Sequence, residues 1–233
     1  MYRSFDVAMR SPSGMQPIAP LHQAQALARE YLPFTVRVVE TDAALRKAVQ
    51  IRHAAYARHI APNLAVALQE PERLDKVPGA VVLLAESKVD GSPLGTMRIQ
   101  TNKFGPLTLE QSVELPTWMK GLGLAEASRL GITQDKVGRM VKTVLFKAFY
   151  LYCLHNGIAH MVITARSPVD RMYDRLLFQD VYPGMGYVPL EHVFNLPHRI
   201  LQLDVQRAQA MWQDADHPLL GFMCDTEHPD LMV

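Results

Sequence analysis

Apolar and polar residues alternate over residues 34–39, where Phe34, Val36 and Val38 share one side, and the β-branched content marks a strand. Thr41-Asp42 then offers a capping side chain for a helix that reaches about residue 60 and carries Arg52 and Tyr56 one turn apart. Residues 62–78 lose this periodicity and hold Glu72, Arg73, Asp75 and Lys76, which predicts a short helix and a loop. Apolar runs at 80–85 and 94–100, the second carrying Arg98, flank Asp90-Gly91 and predict a hairpin. A Pro- and Gly-bounded insert, 105–123, leads to another apolar strand at 125–132. A long apolar helix over 137–155 stops at Asn156-Gly157. A strand follows at 158–164, then a helix opening at Ser167-Pro168, where serine caps and proline fits the first turn. Beyond Gly184-Met185-Gly186-Tyr187 come two final strands, 187–194 and 199–203, and a helix at 205–213.

This order, without any repeat, describes an α/β or α+β fold: a mixed sheet covered by helices on both faces. The strand-helix-strand unit around 137–155 places strands 125–132 and 158–164 parallel and adjacent, which is where ligands often sit. The expected organisation is an N-terminal extension over 1–33 with a docking helix at 21–32, one domain over 34–205, and a C-terminal helix and tail over 206–233.

Composition narrows the class. A chain of 233 residues, 48% hydrophobic, buries a core sufficient for one large domain. A formal net charge of +1, without a run of Lys and Arg, argues against a surface built for nucleic acid. Cys153 and Cys224 lack CxxC spacing and read as free thiols of a reducing cytoplasm. The apolar run 144–154 is interrupted by Lys147 and falls short of the roughly 20 residues that cross a bilayer, so no transmembrane segment and a cytoplasmic location are expected. His217, Cys224 and His228 follow no compact metal-binding spacing, and no metal is expected.

The chemistry concentrates at Glu126-Ala127-Ser128-Arg129. The period of two puts Glu126 and Ser128 on one face and Arg129 on the other, unless a bulge turns all three to one site. Arg98, among apolar neighbours, requires a partner such as Glu126 or Asp75. Arg52 either pairs with Glu70 or Glu72 or clamps a carboxylate in a bidentate fork. Lys136, Arg139, Lys142 and Lys147 form a solvated helix face, or else dock an acidic partner together with Arg166, Arg171 and Arg175. Cys153 reads as core, and Tyr173 as packing.

Taken in order, Arg52 and Tyr56, Asp75, Gly95-Thr96-Met97-Arg98 and Glu126-Ala127-Ser128-Arg129 resemble the Gcn5-related N-acetyltransferase superfamily over residues 34–203. The resemblance is narrower to its acyl-homoserine-lactone synthases and long-chain N-acyl amino acid synthases. In the lactone synthases the matching pattern is Arg-x-x-x-Phe, an acidic pair, a strand Arg and Glu-x-Ser-Arg. Here Tyr56 replaces the phenylalanine, the tryptophan expected after the first helix is absent, and Glu72 and Asp75 stand for the acidic pair, which favours an ordinary amino acid over S-adenosylmethionine as the amine. The superfamily's pyrophosphate loop keeps one glycine in Gln134-Asp135-Lys136-Val137-Gly138-Arg139, which favours a donor on acyl carrier protein, with acyl-CoA possible.

The resemblance thus implies an N-acyltransferase that moves a long-chain fatty acyl group from acyl carrier protein to an amino acid. The acyl-phosphopantetheine thioester is a co-substrate, and no permanently bound cofactor is implied. Glu126 would be the base, held by Arg129 and Arg98, and Arg52 would bind the amino acid carboxylate. Tyr56, Asp75, Ser128, Leu130 and Ile132 would complete the substrate site, and Lys136, Arg139 and Lys142 would dock the carrier. Amides at 128–130 would face the oxyanion, and an acyl tunnel would draw on Val144, Phe146, Phe149 and Leu151. A lactone synthase and a non-catalytic carrier- or lipid-binding module are the alternatives.

Overall fold

The structure is a computed structural model and describes residues 27–233. Eleven strands and five α-helices are recorded: β1 (Ala28–Arg29), β2 (Phe34–Val38), α1 (Asp42–Tyr56), α2 (Pro62–Val66), β3 (Ala80–Ser87), β4 (Pro93–Thr101), β5 (Leu124–Ile132), α3 (Lys136–His155), β6 (His160–Ala165), α4 (Asp170–Arg175), β7 (Gln179–Asp180), β8 (Val188–Leu190), β9 (Leu196–Asp204), α5 (Ala208–Asp214), β10 (Thr226–Glu227) and β11 (Leu231–Met232). The main sheet runs β11-β2-β3-β4-β5-β6-β9-β7, with β8 added against β9. The helix-connected strands β5 and β6 are parallel, in register from Leu124 opposite His160 to Ala127 opposite Ile163, while β5 itself continues to Ile132. Beyond Ala127 the two strands part.

Alternation sorts the side chains onto two faces. Leu83, Ala85, Met97, Ile99, Ala125, Ala127, Met161 and Ile163 pack with Val141, Leu145, Phe149 and Cys153 of α3. Val82 and Leu84 pack instead with Ala44, Leu45, Ala48 and Val49 of α1. A third cluster joins Leu107, Leu109, Leu115 and Met119 of the insert to Val162 and Ile200. The α1 face of β4 and β5 is therefore left to polar residues. Gly131 lets α1 approach: a Cβ there would lie 3.0 Å from the Arg52 Cα and 3.2 Å from the Ile51 oxygen. This contact sets Arg52 directly over the centre of the sheet.

Several expectations change. The first helix ends at Tyr56, and α4 begins at Asp170 with Val169 at its cap and no side-chain cap bond, so Ser167 does not cap it. The first half of the proposed docking helix at 21–32 lies outside the described residues; the second half is not helical, with β1 paired to β10. The C-terminal residues are not a tail. They fold back over α3 and return β11 to pair in parallel with β2. Lys147 is not on a solvated face but 2% exposed, its Nζ donating to the oxygens of Phe222 (2.6 Å) and Thr226 and 3.0 Å from His228 Nδ1.

Candidate active site

Three arginines from three elements converge on two carboxylates of one turn. Arg52 donates to Asp75 twice, at 2.9 Å each, and to Glu72 at 3.0 Å. Arg98 reaches Glu72 at 3.1 Å, Asp75 at 3.3 Å and the Ser128 hydroxyl at 3.2 Å. Arg129 forms a fork on Glu72, with both bonds 2.7 Å. The acids are presented by a 3-10 turn, Arg73–Asp75, in which the Asp75 carboxylate also caps the Glu72 amide at 2.8 Å. Arg129 reaches this side because β5 carries one extra residue there: pairing runs Thr96 to Gly131 and then Arg98 to Ser128, and Arg129 takes φ 55°. Burial would raise the Glu72 pKa, but the bonds and charge of Arg129, then the charges of Arg98 and Arg52, hold it down to about 2.

Glu126 stands apart from this network. Neither Arg98 nor Arg129 bonds it, although the sequence pattern assigned them to hold it. One oxygen accepts from the Leu109 amide at 3.1 Å. The other is buried without a hydrogen-bond partner, 3.4 Å from His192 Nε2. Burial pushes the Glu126 pKa up to about 7, against the lowering effect of the Leu109 amide and of Arg98. Burial and the positive Arg129 push His192 down to about 4, so its imidazole is neutral near pH 7. The Thr164 hydroxyl lies 3.4 Å from the same Nε2. His192 gave no sequence signal: it sits in a short turn between β8 and β9, 66 positions from Glu126 in the chain, without any motif around it.

Two cavities flank the gap between β5 and β6. On the α1 face a cavity of about 180 Å³ is lined by Tyr56, Ser128, Arg129, Thr164 and Arg166, among others. On the α3 face a cavity of about 490 Å³ is walled mainly by apolar side chains, including Met97, Phe146, Met172 and Leu176. Leu130 and Tyr173 line both. Asp75 and Arg52 line neither cavity and are buried beneath the site, and Ile132 offers only its backbone oxygen to Arg58 at 3.0 Å. Lys136 and Arg139 are exposed on the first turn of α3, while Lys142 lines the α3-face cavity. Of the residues expected along an acyl tunnel, Phe146 lines that cavity, and Val144 and Phe149 lie in the core.

A family profile described as N-acyl amino acid synthase FeeM matches residues 47–203, the stretch that contains every element of this site from Arg52 to His192. The chain belongs to the FeeM family of N-acyl amino acid synthases. It is an N-acyltransferase. The structure of FeeM from uncultured soil microbes superimposes with a TM-score of 0.62 at 19% identity, covering 82% of this chain and 97% of that one. The acyl-homoserine-lactone synthase LasI gives a TM-score of 0.55 at 16% identity over 75% of this chain and 93% of its own. The CoA-dependent lactone synthase BjaI, solved with SAM and isopentyl-CoA, gives 0.53 at 14% identity over 84% and 93%. No curated protein sequence matches the chain significantly. These neighbours share the fold expected from the element order. Among the described residues, no helix is long and apolar enough to cross a membrane.

Within this FeeM-family site stands Arg166, which the sequence grouped with Arg171 and Arg175 as a candidate surface for an acidic partner. It lines the α1-face cavity and donates to the His59 oxygen at 3.1 Å. Among the described residues it has no carboxylate partner, whereas Arg52, Arg98 and Arg129 are all engaged by Glu72 or Asp75.

Proposed function

We propose that the protein transfers a long-chain fatty acyl group from the phosphopantetheine thioester of acyl carrier protein to the amino group of an amino acid. The observation that carries this reading is the pair of cavities that meet at Leu130 and Tyr173, one walled mainly by apolar side chains and the other bringing Ser128, Arg129, Thr164 and Arg166 among apolar neighbours. An alkyl chain suits the α3-face cavity, and an amino acid suits the α1-face cavity. β5 has no β6 partner beyond Ala127, so its amides near 128–130 are available to a developing oxyanion.

The amine attacks the thioester carbonyl only after its ammonium form has lost a proton. Glu126 is the base in this reading, with a pKa near 7 matched to that task. It sits one layer behind the cavity wall, and His192 and Thr164 make the polar path to it. The tetrahedral intermediate collapses with loss of the pantetheine thiolate. Tyr173, whose hydroxyl is kept protonated by burial, stands at the junction to return a proton to that sulfur. Arg166 takes the amino acid carboxylate, the role that the sequence pattern gave to Arg52; Arg52, Asp75 and Arg98 instead hold Glu72 for the Arg129 fork, and Arg98 donates directly to Ser128.

The carrier, rather than coenzyme A, is supported by the start of α3. Asp135 caps that helix, its carboxylate accepting from the Gly138 amide at 2.7 Å, so a negative charge already fills the position where a pyrophosphate would bind. Lys136, Arg139 and Lys142 stand beside it for the acidic surface of a carrier. The test is expression in bacteria followed by mass spectrometry of lipid extracts. N-acyl amino acids should appear with the wild-type protein and vanish with Glu126→Gln. A folded protein that yields none, in extracts or with supplied acyl carriers and amino acids, overturns the reading; release of a lactone from S-adenosylmethionine would replace it.

A further inference from the structure

The α3-face cavity has a wall that the family match does not include. It is lined by Met97 on β4, Phe146 on α3, Met172 on α4 and Leu176 just past that helix, and His217, Pro218 and Leu219 complete the lining. The family profile ends at residue 203. We propose that residues 217–219 form the outer wall of the site for the donor's alkyl chain and limit the length of chain that the enzyme accepts. This rests on the acyl-transfer reading above and deepens it.

The wall is held at both ends. On one side His217 Nε2 donates to the Arg175 oxygen at 2.7 Å while its Nδ1 accepts from the Leu219 amide at 3.1 Å, a pair of bonds that only the Nε2-protonated neutral imidazole makes. The His217 amide also donates to the Trp212 oxygen at 2.8 Å, and Trp212, fully buried, is tied through its indole to the Leu176 oxygen at 3.1 Å. On the other side Lys147 grips the Phe222 oxygen at 2.6 Å, together with Thr226 and His228. Leu219 is thus fixed by contacts to α3 and α4, the two helices that make the cavity.

The cavity chemistry selects the occupant. At about 490 Å³ it falls within the size of small-molecule sites, about 300–1,000 Å³. Its interior offers two methionines, a phenylalanine and leucines, and the charged groups Lys142 and Arg175 belong to its lining on α3 and α4 rather than to β4 or β5. A pantetheine arm brings two amides that would find few partners there, whereas a flexible alkyl chain needs none and packs well on methionine. The cavity also reaches the strand gap through Leu130 and Tyr173, which is where the thioester carbonyl must sit.

The experiment compares the full wild-type chain with Leu219→Trp and Leu219→Ala. Donors carry acyl chains from short to long, each supplied on acyl carrier protein and, separately, on coenzyme A. Leu219→Trp should lower kcat/KM for the longest chains by about tenfold or more and spare the shortest, because each methylene refused by an apolar pocket has a large effect on specificity. Leu219→Ala should move the preferred length upward. The amino acid KM should hold for both variants, and the same ordering should appear with both kinds of donor. Calorimetry with the unreactive dodecyl thioether of coenzyme A gives a second readout, with weaker binding expected for Leu219→Trp. If Leu219→Trp fails to fold, the upward shift in Leu219→Ala decides. An unchanged chain-length profile in folded variants, or an equal loss at every length, overturns the proposal while leaving acyl transfer standing. A wild-type protein that neither binds the thioether nor turns over any thioester overturns both.

Discussion

Glu126 and Glu72 are two carboxylates with opposite fates. Glu126 is ionised with difficulty because burial strips its water away, whereas Glu72 is held ionised by three guanidinium groups. Activity should therefore rise with pH along a limb near 7 as Glu126 loses its proton, and Glu126→Gln should abolish that limb and lower kcat by about 10²–10⁴-fold in steady-state assays. The stability effects run in opposite directions. Glu126 has its folded pKa raised from 4.5 to about 7, so its contribution is present at low pH and is lost as pH rises toward 7; relative to wild type, Glu126→Gln should gain up to about 3 kcal/mol between those limits in urea titrations. Glu72 has its folded pKa lowered, so its contribution is present above 4.5 and is lost as pH falls toward about 2. Asp75→Asn would leave the fully buried Arg52 with Glu72 as its one remaining carboxylate, and a cost of up to about 3–5 kcal/mol is expected by denaturant unfolding. At this scale the sequence made Glu126, Arg98 and Arg129 visible, because charges inside apolar strands call for explanation. It could not show which acid each arginine takes, since that depends on a turn folded back from 72–75; it named Arg166 only as a candidate docking residue, and His192 lies in a segment with no periodicity to mark it.

The elements are drawn with sharper edges where chemistry and backbone agree. Asn156-Gly157 ends α3 with Gly157 at φ 63°, and Thr41 caps α1 through the Ala44 amide at 3.2 Å, both as the sequence predicts. The β5 bulge was open in the sequence because alternation alone cannot count an extra residue; the conformation of Arg129, φ 55°, is sustained by its fork on Glu72. The start of α3 is tighter still: a Cβ on Gly138 would lie 2.0 Å from the Thr133 oxygen. Gly138→Ala should displace the first turn of α3 and cost about 1–3 kcal/mol of stability in thermal or urea unfolding. Asp135→Ala should free the Gly138 amide and improve kcat/KM with acyl-CoA relative to the carrier-bound donor in paired assays. No change in that ratio would remove the argument for the carrier.

Over the whole molecule, the β3–β4 hairpin and the parallel β5–β6 pair were legible because the connection lengths allow few alternatives. The C-terminal region was not, because its short strands and its 217–228 turns carry neither alternation nor helical period, and its anchor, Lys147, looks like a solvated residue in any one-dimensional pattern. Lys147→Met keeps the volume of the stem but leaves the Phe222 and Thr226 oxygens without their donor; the variant should show faster amide exchange over 219–230 and lower overall stability, by about 1–3 kcal/mol, measured by hydrogen exchange and unfolding.

The two cavities that share Leu130 and Tyr173 open from opposite faces of one sheet. Donor and acceptor therefore do not compete for an entrance, and both can be seated before any bond changes. Initial-rate plots against one substrate at several fixed levels of the other should intersect, and no radiolabelled acyl group should stay on the protein when the amine is withheld.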